Sequence, residues 1–283
     1  MDVVQHPADI QQSICDRRRS GQTIGLVPTM GALHQGHLSL VAAARAACDC
    51  VVTTIFVNPK QFAAGEDFED YPRTMESDLD LCRAADTDLV FAPAAGDMYL
   101  PDCLTKVEVA DMAKLLEGES RPNHFNGVTT IVAKLFNITL PDRAYFGQKD
   151  YQQQMIIRRM VRDLNWNIDI VTCPTIREPD GLAMSSRNRY LSPVERDQAL
   201  ILNRVLEQAD RLASAGGMNP QAIQTGMTKT LSNAEGLEPD YAVVVDPESL
   251  RPMEKESGNA VALLAVRVGN TRLIDNRMLT FAE

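Results

Sequence analysis

The sequence predicts an α/β protein: a parallel sheet with helices on both sides through residue 175, then a smaller α+β domain from 176 to 283. Short apolar, β-rich runs recur at 24–27, 51–57, 89–91, 145–146 and 168–171, with helical patterns between them. That alternation is the grammar of βαβ units. The runs are continuous rather than alternating, as expected of strands buried on both faces. After about residue 175 the order changes to two helical stretches followed by three strand-like runs, which marks a second domain.

Taken in order, the first run, 24–27, leads into the turn Pro28-Thr29-Met30-Gly31, then His34-Gln35-Gly36-His37 and an alanine-rich helix over 38–48. The run at 51–57 ends in Asn58-Pro59-Lys60-Gln61-Phe62, followed by a long loop over 63–73 that has the length of a lid. A helix is expected over 77–85, and another over 128–138 opened by Gly127. A third, over 150–164, places Met155, Ile156, Met160 and Val161 on one face. In the second domain, helices over 193–213 and 220–233 are joined by Gly216-Gly217. Strands follow at 241–245, 260–268 and 271–274, with Gly269-Asn270 as a hairpin turn. Neither an internal repeat nor a low-complexity segment interrupts this plan.

Composition narrows the class. Hydrophobic residues at 45% and charged residues at 23% are ordinary for a soluble globular protein, and 283 residues suffice for two cores. A net charge of −10 argues against a nucleic-acid binder but leaves room for a small anionic ligand in a locally positive pocket. No apolar stretch approaches the ~20 residues of a membrane span. Residues 1–10, with Asp2, His6, Pro7 and Asp9, do not resemble a signal peptide. Six cysteines without C-x-x-C spacing read as reduced thiols of a cytoplasmic protein.

The chemistry concentrates at strand-to-helix junctions. His34 and His37, two of only four histidines, sit where a strand, a glycine turn and a helix N-terminus succeed one another. Free N–H groups and the helix dipole favour anions at such a place. Two imidazoles there suggest a triphosphate whose charge changes during reaction; the same pair can also read as surface residues on a helix face or half of a metal site, and the preceding strand and turn favour the nucleotide. Asn58 and Gln61, beyond the second strand, can hydrogen-bond an uncharged polar group, while Asn-Pro is also common in plain turns. In Phe146-Gly147-Gln148-Lys149-Asp150, Gly147 permits close backbone approach and Lys149 offers positive charge. Asp150 is able to cap a helix, bind a ribose hydroxyl or help hold magnesium. Met184-Ser185-Ser186-Arg187-Asn188 joins two hydroxyls to a guanidinium, a set suited to an oxyanion, at the expected domain junction. Neither G-x-x-x-x-G-K-[ST] nor G-x-G-x-x-G is present, and no His/Cys/Asp cluster has convincing zinc spacing.

These segments, with Tyr71-Pro72-Arg73-Thr74 and His124-Phe125 followed by Gly127-Val128, closely resemble the pantothenate synthetase family over nearly the whole chain. The resemblance implies a Rossmann-like fold of the nucleotidyltransferase superfamily and an ATP-dependent ligase joining pantoate to β-alanine, with Mg²⁺ accompanying ATP. By resemblance, pantoate attacks the α-phosphorus of ATP to give a pantoyl adenylate, and β-alanine then takes the acyl group. His34 and His37 would stabilise the phosphates, His37 also donating a proton. Lys149, Ser185, Ser186 and Arg187 would hold the phosphates and leaving pyrophosphate, and the catalytic set is His34, His37, Lys149 and Arg187. Met30, Gly147, Asp150, Ile176 and Met184 match positions around the adenosine. Gln61 and Gln153 match the pair that binds pantoate, with Asn58 and Tyr71 near β-alanine and the lid. The metal ligands are left unassigned, and a homodimer without nucleic-acid or membrane partners is implied. Gln148 stands where the family usually has Glu, and Leu100 where Pro is common; neither removes a predicted catalytic group.

Three other classes share parts of this pattern. An adenylyltransferase acting on a phosphate monoester would keep the histidine turn without needing the Gln61/Gln153 pair. A class I aminoacyl-tRNA synthetase relative would share the Met-Ser-Ser-Arg loop, but the acidic charge opposes it. A nucleotide sensor would have no use for His34, His37, Lys149 and Arg187 together.

Overall fold

A computed structural model describes residues 1–63, 65–253 and 258–281. The chain divides into two compact units, Met1–Gln148 with Gln152–Pro174, and Lys149–Tyr151 with Thr175–Glu283. Ala64, within the expected 63–73 loop, and residues 254–257 and 282–283, within the expected second domain, lie outside the described residues.

In the first unit the elements run β1 (Asp2–Val4), α1 (Pro7–Arg19), β2 (Ile24–Thr29), α2 (Gln35–Ala47), β3 (Cys50–Ile55), α3 (Met75–Ala84), β4 (Leu89–Phe91), α4 (Ala95–Met98), α5 (Glu117–Ser120), α6 (His124–Thr139), β5 (Arg143–Gly147), α7 (Tyr151–Asp163, whose first residue groups with the second unit) and β6 (Asp169–Cys173). All six strands are parallel, in the order β1-β4-β3-β2-β5-β6. The parallel sheet and its intervening helices are those the apolar runs predict. Burial explains the continuous runs: every residue of β3 and β4 is buried. On one face Ile24, Leu26 and Val52 pack with Ile10 and Ile14 of α1 and Val128, Val132 and Phe136 of α6. On the other, Val27 and Val51 pack with Leu40, Val41 and Ala44 of α2. Alternate residues of one strand thus serve two cores, as a sheet sandwiched between helices requires.

Strand order decides where a ligand sits. From β2 the sheet grows through β3 and β4 in one direction, and on β2's other edge lies β5, paired at Gly25–Arg143 and Leu26–Ala144. That reversal is a topological switch point, and in open parallel sheets ligands bind beyond the strand C-termini there. The residues following β2 are the histidine turn.

The second unit holds α8 (Pro193–Ala199), α9 (Ile201–Ala215), α10 (Pro220–Ser232), β7 (Leu237–Val245), β8 (Gly258–Val268) and β9 (Thr271–Phe281). The strands form an antiparallel sheet in the order β7-β8-β9. Val268 pairs with Thr271, so Gly269-Asn270 is the two-residue hairpin expected, with Gly269 at φ +55°. Leu202, Val205, Leu206, Ala209 and Ala213 of α9 form the helical stripe that covers Ala262, Leu264 and Val266.

Several boundaries differ from expectation. The helix expected over 193–213 is two, α8 and α9, meeting at Leu200. Gly127 lies inside α6 rather than opening it, because the helix starts at His124. Strand β1 and helix α1 carry too weak a pattern to be predicted: only Ile10 and Ile14 of α1 are buried.

Candidate active site

The first unit's site begins at the end of β2. Gly31 sits at φ +81°, and Ala32 follows at φ +50°, a left-handed conformation that a residue with a Cβ rarely adopts. A buried carboxylate holds this turn. Asp78, in the first turn of α3 and 1% exposed, accepts the Ala32 N–H at 2.9 Å, the Leu33 N–H at 2.8 Å and the Thr74 hydroxyl at 3.2 Å. A Cβ on Gly31 would stand 2.9 Å from the same carboxylate, so both the backbone conformation and the available space select glycine.

Beyond the turn, His34 caps α2. Its Nδ1 accepts the Gly36 N–H at 3.1 Å, and since a backbone N–H only donates, the neutral ring carries its proton on Nε2. The His37 ring, one helical turn on, lies 4.1 Å away, centroid to centroid. The first turn of α2 contains no acidic residue, so nothing of its own competes with an anion at its N-terminus. Two half-buried imidazoles on a helix N-terminus beside the switch point can bind and stabilise a polyphosphate.

A polar cluster follows β3. Gln61 is 9% exposed; its Nε2 approaches the Met30 sulfur at 2.7 Å, and its Oε1 accepts from Asn58 Nδ2 at 3.1 Å. Asn58 also donates to the Gly127 carbonyl at 3.1 Å and accepts the Tyr99 hydroxyl at 2.8 Å. Gly127 allows α6 to press on this turn: a Cβ there would meet the Lys60 carbonyl and come within 2.6 Å of Gln61 Cα. His124 anchors the turn from the other side. Its Nδ1 lies 2.8 Å from the Gln61 carbonyl and its Nε2 3.2 Å from the Arg121 guanidinium. A guanidinium only donates, so His124 is the neutral Nδ1–H tautomer. Burial, then the Arg121 charge, pushes its pKa down to about 4. Arg121 forks onto Glu66 with two contacts of 2.7 Å. Burial pushes the Glu66 carboxyl up, but the Arg121 hydrogen bonds and charge outweigh it and hold it below the usual carboxylate range.

On α7 three glutamines follow one another. Gln152 binds the Met112 and Leu115 carbonyls at 2.8 Å, and Gln154 accepts from Arg158 and Thr172. Gln153, half-buried between them, is the one not committed to the framework among the described residues. Tyr71 is buried against Phe62, ring centroids 5.9 Å apart, inside the loop before α3. Gly147 ends β5.

The second unit carries the remaining predicted residues. Met184 N–H donates to the Ile176 carbonyl at 3.0 Å, joining the two strands of a short loop. Ser185 caps the turn after it, its Oγ accepting the Arg187 N–H at 3.3 Å; Ser186 is buried. Asn188 ties the turn's end to Glu178 at 2.7 Å and to the Ala183 carbonyl at 3.0 Å. Arg177 forks onto buried Asp275 at 2.6 and 3.0 Å. Lys149 Nζ lies 3.8 Å from Asp150, and Asn276 fixes the Lys149 carbonyl at 2.8 Å.

Within the first unit, therefore, the structure brings His34 to His37 and joins Met30, Gln61 and Asn58. Within the second it brings Ile176 to Met184, Lys149 to Asp150, and Ser185 to Arg187. Sequence reasoning missed Asp78, Tyr99 and Arg121 and assigned His124 no role. The scarcity of histidine was the one usable signal, for His124.

Comparison with known proteins adds the family. The model of a family described as pantoate-beta-alanine ligase matches residues 2–278. A pantothenate synthetase of Moorella thermoacetica is 50% identical over 99% of both chains, and one of Rhodopirellula baltica 52% identical over 97% of this chain and 98% of that. Among solved structures, pantothenate synthetase from Thermus thermophilus superposes with a TM-score of 0.93 at 42% identity, covering 98% of this chain and 99% of that one. Pantoate-beta-alanine ligase from Francisella tularensis, complexed with beta-gamma ATP and beta-alanine, gives 0.80 at 35% identity, covering 98% and 97%.

Proposed function

The chain belongs to the pantoate-β-alanine ligase family, and we propose from that premise that it joins pantoate to β-alanine at the expense of ATP, giving pantothenate, AMP and pyrophosphate. The observation that carries the mechanism is the His34/His37 pair on the N-terminus of α2 at the switch point of the sheet. In the first step a pantoate carboxylate oxygen attacks the α-phosphorus of ATP. The bond to the bridging oxygen breaks, and pyrophosphate leaves from a pantoyl adenylate. His34 and His37 stabilise charge gathering on the phosphates, and His37 gives a proton to the departing oxygen. Lys149, Ser185, Ser186 and Arg187 hold the phosphates and pyrophosphate. Met30, Gly147, Asp150, Ile176 and Met184 receive the adenosine. In the second step the neutral amine of β-alanine attacks the acyl carbon and gives up a proton to solvent as the amide forms, and AMP departs with the electron pair of the broken acyl–oxygen bond.

Gln61 and Gln153 bind pantoate; neutral amides bind its hydroxyls and carboxylate without charge repulsion. Tyr71 belongs to the β-alanine side; Asn58, matched to the same neighbourhood, acts there as a support, since its own amide is fully engaged. Residues 1–175 form the domain that binds ATP and pantoate, and residues 176–283 the smaller lid domain. Magnesium enters as the ATP complex. No group of three His, Cys, Asp or Glu among the described residues is arranged to hold a metal; Mg²⁺ would come with ATP as part of the substrate and supply positive charge at the phosphates. A cytoplasmic homodimer is the setting proposed. Six free cysteines suit a reducing compartment, and no helix among the described residues is long and apolar enough to cross a membrane.

Pyrophosphate release tests the reading. With ATP, Mg²⁺ and pantoate it should stop after a single turnover, and β-alanine should restore sustained AMP formation. Release driven by a phosphate-bearing acceptor instead would make the protein a different adenylyltransferase.

A further inference from the structure

A side-chain amide presents donors from one end and an acceptor from the other, and its partners decide which end meets a ligand. For Asn58 that choice is fixed by main-chain groups of unambiguous polarity. The Lys60 N–H only donates, so the atom 3.3 Å from it is Oδ1; the Gly127 carbonyl only accepts, so the atom 3.1 Å from it is Nδ2. The second Nδ2 hydrogen goes to Gln61 at 3.1 Å and therefore meets Oε1. Gln61 is left with its NH₂ end directed to Met30 and away from Asn58.

The closest hydrogen bond to Asn58 comes from outside this turn. Tyr99, the residue that ends α4, donates its hydroxyl to Oδ1 at 2.8 Å. Its ring meets the Lys60 ammonium, 4.2 Å from the centroid, and the Phe56 ring, 6.4 Å away centroid to centroid. Burial pushes the phenol well above the ordinary tyrosine range, so the hydroxyl keeps the proton it donates to Oδ1. With Tyr99 and Lys60 on Oδ1 and Gln61 and Gly127 on Nδ2, both donors and both acceptor positions of Asn58 are taken. Asn58 is 1% exposed and has no hydrogen-bonding capacity left for a substrate. Its effect passes through Gln61.

We propose that Tyr99 is a positioning residue: with the shortest hydrogen bond to Asn58 it holds the amide in the orientation the main chain sets, and so keeps Gln61 placed to offer an N–H donor to an oxygen of the acid substrate. This rests on the reading that Gln61 binds pantoate. A carboxylate meeting the reversed amide would face a carbonyl oxygen and be repelled, so the relay selects an acceptor-rich ligand at this point.

The test is a double-mutant cycle on the full-length enzyme, following KM for pantoate, KM for ATP and kcat in Tyr99→Phe, Gln61→Ala and the double variant. Tyr99→Phe keeps the ring contacts and removes one hydrogen bond. It should raise KM for pantoate about fivefold while kcat and KM for ATP stay within about twofold. In the Gln61→Ala background the same change should do nothing further, because the group it orients is gone. An equal rise in both backgrounds would show that the Tyr99 hydroxyl acts independently of Gln61 and overturn the proposal, as would a fall in kcat at constant KM. If Gln61→Ala itself left KM for pantoate unchanged, the pantoate reading of Gln61 would fall and take the relay with it. A rise from Gln61→Ala without one from Tyr99→Phe would sink the relay only.

Discussion

At the scale of the residue, chemistry and framework lie side by side, and substitutions should separate them. His37 is half-buried in the first turn of α2 and is no part of the main hydrophobic cores. His37→Ala should lower pantoate-dependent pyrophosphate release about 100-fold or more with little change in melting temperature. Near-normal release would remove its assigned role. Gln153→Ala, between two framework glutamines, should raise the pantoate requirement and spare that for ATP; parallel losses for both would argue against a pantoate contact. His124 is a framework group whose cost is set by pH. Its folded pKa, about 4, lies below the ordinary histidine value of 6.5, so the unfolded chain binds the extra proton first. The stability His124 contributes is complete above pH 6.5 and is lost as pH falls through about 4, in all on the order of 3 kcal/mol. Glu66, also depressed, loses its contribution only below its ordinary value of 4.5. Denaturant titrations between pH 6.5 and 4.5 should therefore show a decline in the native protein that His124→Gln, which does not titrate, largely abolishes.

At the scale of the element, the turn after β2 and the turn after β3 are both held from outside by helices. Asp78 reaches from α3 to the first, and α6 presses on the second through Gly127. Gly127→Ala would drive a methyl into the Lys60 carbonyl, and either α6 or the turn has to move. The expected cost is about 1–3 kcal/mol of stability, seen as a lowered urea midpoint, with a raised KM for pantoate because Gln61 rides on the displaced turn. An unchanged KM beside a lowered midpoint would separate the turn from substrate binding. These two contacts also mark the limit of what the sequence discloses. The parallel sheet was legible because burial on both faces leaves unbroken apolar runs, and the histidine turn because strand, glycine and helix follow one another locally. The hairpin at Gly269-Asn270 was legible for the same local reason. Asp78 is 46 residues from Ala32, and Tyr99 is 41 from Asn58. A carboxylate in the first turn of a helix reads as an ordinary solvated cap until the fold brings it to a buried turn. Strand β1 and helix α1 are edge elements with few buried positions, and that is why no periodicity announces them.

At the scale of the whole molecule, two units with separate cores carry the residues assigned to one reaction. His37 belongs to the first; Arg187, in a turn braced by the Asn188–Glu178 and Arg177–Asp275 contacts, belongs to the second. Kinetics can decide whether both serve the same transition state. If both groups act on phosphate charge as proposed, Arg187→Ala alone should reduce the adenylation step by about 100-fold, comparable to His37→Ala. Groups that act as a unit are not additive: once one is lost, the other stabilises a transition state already compromised. The His37→Ala/Arg187→Ala double variant should then retain well above the roughly 10,000-fold-reduced rate that independent effects would multiply to. A fully multiplicative loss in single-turnover pyrophosphate release would mean that the two groups act on adenylation independently; unchanged release in Arg187→Ala alone would reassign Arg187 to another step, with β-alanine-dependent AMP release the next to examine.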